Sequence, residues 1–477
     1  MDFIIYDIGL LVLFVIGISI FLYLKRANLK KEGFAFLYKT EWGIKLINRI
    51  GNKYKKTLKV LSYISVGIGY ILTAGILYFF GKIVWIYITL PQVVRQIKVP
   101  PIMPLIPYVN KIVPGLPDFF FTYWIIIIAI IAITHELAHG IFAAYYKVKI
   151  KTTGFGFFPF FLPVFLAAFV ELDEKRMVKK KNFPQRTILS AGTFANVLTA
   201  ILSFIVMLVF FSLAFAPSGV VFNSYAYSPV ILKNINQVNG ISVSNLTLEE
   251  FAGYLKENET FNEIVANEIT YVGVKKVSTA KLGDQEIDYA ELYYDAPAVK
   301  AGLTGAIQNI NGVKINSVEK LSEELSKYSP GESITIKTKT SEEVLEYNII
   351  LDEHPAKEGT AWLGIGFEKN KRSGVIGKVI DFISSFKKSN IYYESKIDKA
   401  GVFIYNLLWW LILISISVAL MNMLPLGIFD GARFFYLTIL AITKNEKKAR
   451  KTLSVISYVL LFLVLLLMIF WAISFFR

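Results

Sequence analysis

The chain has no cysteine, only three histidines and few charges. The missing cysteines exclude disulfides, thiolate zinc sites, iron–sulfur clusters and a cysteine nucleophile, and leave the redox compartment open. Charged residues make up 18% of the 477 positions, against about 25% in a soluble globular chain. Apolar residues fill the gap at 55%, with a mean hydropathy of +0.52, and several runs reach about 20 residues. A disordered chain, a collagen and an ordinary soluble enzyme are excluded. The composition is that of a polytopic membrane protein.

The net charge of +15 is unevenly placed. Residues 25–59, 147–186 and 444–451 carry +9, +6 and +4, which leaves the rest of the chain at −4. Each basic block abuts an apolar run, the signature of cytoplasmic loops. A nucleic-acid surface would set a basic stripe with interleaved aromatics apart from the membrane segments. No nucleic-acid partner is expected.

Residues 3–24 form an apolar run followed by Lys25 and Arg26. A secretory signal carries its positive charge first and a small-residue cleavage site after, so this is a retained span with its N-terminus outside. Further spans are expected at about 58–90, 119–147, 187–215, 402–424 and 452–475. The connector 91–118 is too rich in proline for a helix interior. Residues 153–170 are apolar but broken by Gly154, Gly156, Pro159 and Pro163. They read as a re-entrant hairpin covered by protein, because lipid cannot satisfy irregular backbone. A kinked seventh span is the competing reading, and it would put the flanking basic blocks on opposite faces.

Composition changes at 217–370, where turn residues, short β-like runs and ordinary charge indicate a soluble insertion on the outer face. Within it, Ile310–Ile315 echoes Val238–Val243, each with an Asn-Gly turn between short strands and an apolar-periodic helix after it (Leu248 to Leu255; Val318 to Leu325). The division expected is 1–118 (two spans and a basic loop), 119–216 (catalytic core), 217–370 (outer domain), 371–401 (amphipathic linker, helical over 371–395) and 402–477 (two spans). Both termini then lie outside.

His135 and His139 stand four residues apart in the third span, so a helix projects both imidazoles from one face, as two ligands of one zinc require. Glu136 lies beside them, placed to move a proton between a zinc-activated water and a leaving amine. Ionisable groups inside a membrane are expensive and default to function. His354 falls in the soluble insertion, where a solvated surface histidine is the plain account. The candidate third ligand is Asp430, in the segment Asn422 to Gly431. His135 lies 16 residues past Phe119, roughly 24 Å along the helix. Pro425 breaks the fifth span at a similar depth and lets the following residues fold back. The alternative for Asp430 is a cap on the next helix, Ala432–Ile442.

These residues resemble the site-2 protease family of intramembrane zinc metalloproteases. Its three membrane motifs appear here as His135–His139, as Gly192-Thr193-Phe194-Ala195-Asn196, and as Asn422 to Gly431. The 153–170 stretch resembles the family's re-entrant β-hairpin, and the insertion resembles its PDZ domains, most clearly over Asp295–Phe367, with a degenerate upstream half. The fold implied is a six-span α-helical membrane protein with a re-entrant hairpin and an inserted α+β PDZ-like domain. The resemblance implies one zinc per chain held by His135, His139 and Asp430, with Glu136 as general base and acid. Asn196 would polarise the scissile carbonyl or brace the site, Asn422 would hold the substrate backbone extended, and Gly192 would be a helix-packing contact. Substrates would be transmembrane segments of other proteins, cut near the cytoplasmic face of a lipid membrane. The strands Ala306–Ile310 and Ile334–Ile336 are expected to border a PDZ groove, which either captures peptide ends or filters substrates by size. Two other classes compete. A metal-ion transporter would line a path on both sides of His135 with acidic residues. An inactive PDZ-bearing scaffold would have no reason to keep Glu136 beside two histidines.

Overall fold

The computed structural model describes residues 3–473 apart from 33–34, 93, 95–99, 104, 112–115, 158–165, 257–260, 283–284, 341–342 and 369–373. The chain divides into two compact units, Met1–Phe211 with Val402–Arg477, and Ser212–Gly401. Among the described residues six helices are long and apolar enough to cross a membrane: Phe3–Leu24, Lys55–Thr89, Phe121–Tyr145, Asn182–Ala214, Asp398–Asn422 and Glu446–Ile473, here spans 1 to 6. Each covers one of the expected apolar runs. Pro184 sits in the first turn of span 4, where its missing N–H costs nothing, and Pro425 follows the end of span 5.

The first unit also contains a four-stranded antiparallel sheet of β1 (Leu29–Glu32), β2 (Ala35–Thr40), β3 (Ile150–Phe157) and β4 (Leu166–Leu172), in that order. β3 and β4 are the arms of the expected hairpin, starting at Ile150 rather than 153. Its turn, with Pro159 and Pro163, lies outside the described residues. β1 and β2 come from the first basic block, which the sequence suggested only as a loop. A side chain at Gly154 would collide with the Tyr38 carbonyl across the sheet, so glycine is required there. Lys39 and Lys151 both reach Glu171, at 2.8 and 3.2 Å. The hydrogen bond from Lys39 is the main reason its carboxyl falls from 4.5 to about 2.

The short helix Ile44–Lys53 packs along span 3 at two glycines. A Cβ on Gly51 would come 2.7 Å from that of Ala144, and one on Gly140 would press against Ile47. Small residues let helix backbones approach where no hydrophobic effect between helices is available. The core above them gathers Leu58 and Val66 from span 2, Phe142 from span 3, Ile188 from span 4, Ala419 and Met423, and Phe434.

The second unit is built from two similar sheets. In one, strands 264–266 and 235–238 lead to the hairpin at Asn239-Gly240, and in the other, strands 333–339 and 306–310 lead to the hairpin at Asn311-Gly312. All four turn residues have positive φ, between 46° and 85°, the backbone that asparagine and glycine tolerate. The repeat extends to single bonds. Asn239 Oδ1 accepts from Glu263 N and Asn311 Oδ1 from Thr335 N, while Val243 N donates to Asn236 O and Ile315 N to Gln308 O.

Two expectations for this region are corrected. The segment 371–395 is not helical throughout: a helix covers Gly374–Ser384, but Ile391–Ser395 is a strand paired with Phe215–Val221, the first strand after span 4. The strands Ala306–Ile310 and Ile334–Ile336 do not line the groove beside the helix Val318–Leu325. Ile307, Ile310, Ile334 and Ile336 are fully buried in the core of the second sheet. A groove of about 380 Å³ lies in this unit. It runs between the helix Val318–Leu325, through Val318, Leu321 and Leu325, and the segment 360–367.

Candidate functional site

Span 3 carries His135 and His139 on one face, both buried, with their Nε2 atoms 3.0 Å apart. Asp430 opens the helix Asp430–Thr443 after the turn that follows span 5, and its Oδ2 lies 3.5 Å from His135 Nε2 and 3.2 Å from His139 Nε2. The N-cap position of that helix is Phe429, and no side-chain bond caps it, so the Asp430 carboxylate faces the imidazoles instead. The turn is tight: a Cβ on Gly431 would collide with the backbone of Met423. Ser457 of span 6 donates to the Pro425 carbonyl at 2.7 Å and holds the turn from the other side.

These separations can be tested against a metal. Four ligands at about 2.0–2.2 Å in a tetrahedron stand roughly 3.3–3.6 Å from one another. The three donor separations, 3.0 to 3.5 Å, lie at or just under that spacing. The hydrogen bonds around the rings point the same way. His139 Nδ1 lies 2.6 Å from the Ile188 carbonyl, which can only accept, so Nδ1 carries the hydrogen and Nε2 of the neutral ring is a lone pair. His135 Nδ1 meets the Asn196 amide at 3.0 Å. With the amide nitrogen toward the ring, Asn196 Oδ1 is left buried without a partner. Turning the amide over makes Oδ1 the acceptor of a His135 Nδ1–H, and oxygen and nitrogen of an amide are exchangeable assignments. Both Nε2 lone pairs then face each other and a carboxylate. Such a set fits a cation, and both rings have the outer hydrogen bond that metal-bound histidines make.

Gly192 of span 4 stands against this pair. A Cβ there would come within 2.5 Å of His135 Nε2 and closer still to His139 Nε2. Its expected role as a contact between helix backbones is therefore refined: it makes room for the two rings. Asn196, one turn on, is in hydrogen-bond contact with His135. Neither the Ile188 carbonyl nor the fit of Gly192 to the rings is visible in a sequence, because both depend on how spans 3 and 4 are rotated against each other.

Glu136 Oε2 accepts from Val170 N on β4 at 2.8 Å. A cleft of about 390 Å³ joins His135, Glu136, Asp430, Asn422, Ala167 and Ala168. Five of the six expected site residues therefore line one cleft or its ligand group, and Asn196 lies directly behind His135. His354 is elsewhere, in the second unit, accepting from Ala356 N and with its ring tilted against Trp362. Among the described residues, β4 is the last strand of its sheet, so its far edge is open toward the cleft. Val170 N–H is spent on Glu136, and because edge groups alternate, the next outward-facing residue is Ala168.

A family model described as peptidase family M50 matches residues 123–467. An uncharacterized protein of Methanocaldococcus jannaschii is 29% identical over 279 residues, which cover 57% of this chain and 69% of the relative.

Proposed function

Because the chain belongs to peptidase family M50, the site-2 protease family, a family of membrane metallopeptidases, we propose that it is a zinc-dependent endopeptidase that cuts transmembrane segments of other proteins. The observation that carries this is the convergence of His135, His139 and Asp430 in a cleft that also holds Glu136. A zinc ion held by those three residues would supply Lewis acidity and make a water molecule acidic near neutral pH. Glu136, in the same cleft, would act as the base that accepts a proton from the attacking water and as the acid that returns it to the leaving amine. Asn196 and the Ile188 carbonyl keep the two rings turned toward the ligand position.

A helical substrate hides its carbonyls in backbone bonds, so it must be extended before it can be cut. The open edge of β4 supports pairing of that extended strand, as in strand addition to a sheet, beginning at Ala168. Asn422, which lines the same cleft, would steady the same strand. The basic blocks support a topology with the termini and the second unit outside the cytoplasm. In that position the second unit would select substrates, either by size or by capturing peptide ends along the groove beside Val318–Leu325. A transport reading needs free acidic groups leading to the site. The buried carboxylate of span 1, Asp7, is fully engaged by backbone and hydroxyl donors.

The test is purified protein with a tagged helical substrate. Glu136→Gln is expected to keep about one zinc per chain and to lose cleavage, while His135→Ala and Asp430→Ala lose the metal as well. Substantial cleavage by Glu136→Gln would overturn the proton-transfer role, and full zinc retention by Asp430→Ala would overturn the ligand set.

A further inference from the structure

Span 1 is apolar along its length and has one buried residue among those described, the acidic Asp7. A carboxylate in such a helix is expensive unless it is bound. Three of its four bonds come from the start of span 3 and the fourth from Tyr108 in the connector before it. Oδ2 accepts from Phe121 N at 2.6 Å and from the Tyr108 hydroxyl at 2.8 Å, and Oδ1 accepts from Thr122 N at 2.9 Å and from the Thr122 hydroxyl at 2.6 Å.

Span 3 needs these bonds. The first amides of a helix have no partner within it, and a side chain at the N-cap normally supplies one. The N-cap residue here is Phe120, whose side chain accepts nothing. Asp7 fills the place from another helix and also sets a negative charge against the positive end of the helix dipole. Aromatic contacts hold the two helices together at the same level, Phe3 against Phe120 at 4.8 Å and Phe14 against Phe121 at 5.3 Å.

We propose that Asp7 is the N-cap of the metal-bearing helix, supplied in trans, and that it positions His135, Glu136 and His139. The distance from Thr122 to His135 along the helix is about 20 Å, so Asp7 acts as a positioning residue and touches no reacting atom. Asp430 and Val170 meet the histidines and Glu136 from other elements. A slip or rotation of span 3 therefore changes all of those separations together. The proposal rests on the peptidase reading of the site, and the comparison of variants with the unmodified protein is separate from whether that protein cuts at all.

The experiment compares Thr122→Val, Asp7→Asn and Asp7→Ala. Three quantities are read on folded protein: amide hydrogen exchange of residues 121–124, zinc affinity by chelator competition, and kcat and KM on a tagged helical substrate. Exchange at 121–124 should rise in the order given. For Asp7→Ala, kcat should fall by about ten- to a hundredfold while KM stays nearly unchanged, because a displaced catalytic group loses rate without losing the cleft. Zinc affinity should fall in the same order. Where Asp7→Ala does not accumulate, the other two variants carry the comparison. Loss of protection at 121–124 with zinc affinity and kcat unchanged would reduce Asp7 to a structural cap, and unchanged protection would remove the cap altogether.

Discussion

Replacing Gly192 by alanine adds one methyl group where span 4 faces the two imidazoles. That methyl would stand 2.5 Å from His135 Nε2 and closer to His139 Nε2. An unstrained contact sits near 3.5 Å, so the rings must retreat by about 1 Å. Metal ligation tolerates displacements of about 0.2 Å, which the retreat exceeds several times over. The expected loss of zinc affinity is about a hundredfold or more, or about 2.8 kcal/mol. Folding should not suffer in parallel, because alanine is favoured over glycine within a helix by about 1 kcal/mol. The assay is zinc content by mass spectrometry with chelator competition, alongside thermal unfolding of the metal-free protein. Gly67→Ala in span 2 is the matched control, since a Cβ there meets nothing within 4 Å. Gly192→Ala that binds zinc as tightly as the unmodified protein would refute the placement of the rings.

Other outcomes follow from the rest of the structure. Ser322→Trp, on the exposed rim of the groove in the second unit, should change which substrates are cut while leaving zinc content unaltered; identical substrate choice would remove the groove as a selector. Cysteines introduced at Lys180 and Lys447 should react only with permeant reagents, and one at Glu323 with impermeant reagents from outside; labelling of 323 from the cytoplasm alone would reverse the topology. The Glu171 carboxyl is held below its ordinary value, so its stabilisation of the sheet is complete above about 4.5 and is lost as pH falls toward about 2. Amide exchange in β2 to β4, normalised to intrinsic rates, should show that loss, and Glu171→Gln should flatten it; an unflattened profile would assign the acid sensitivity to another group.

The spans were legible because an apolar run long enough to cross a membrane has few other uses. The Asn-Gly hairpins were legible because positive φ at two successive residues demands that chemistry. The histidine spacing and Asp430 were legible because charged groups are scarce in the spans. Other features were hidden by non-local facts. β1 and β2 lie in a block of lysines that reads as a loop, and only pairing with β3 makes them strands. The groove was placed at Ala306–Ile310 and Ile334–Ile336 by their β-like pattern, but central strands carry that pattern too. Which segment lies beside Val318–Leu325 depends on a return of the chain from 360–367. Asp7 reads as one acid in an apolar run, and its partners are more than a hundred positions away.

The pairing of Phe215–Val221 with Ile391–Ser395 also sets an order of assembly. The first of these strands leaves the ribosome directly after span 4, but its partner follows roughly 170 residues later, which at about 5–20 residues per second is a wait of roughly 9–35 s. During that interval the strand has an unsatisfied edge, a hazard that a chaperone or a temporary partner would relieve. Span 5 follows the partner strand at once, and Asp430 comes only after span 5. The nascent protein therefore holds His135 and Glu136 early and Asp430 last. A growing chain of this kind would carry the proposed site incomplete through most of its synthesis, and would complete it only after the insertion has been closed.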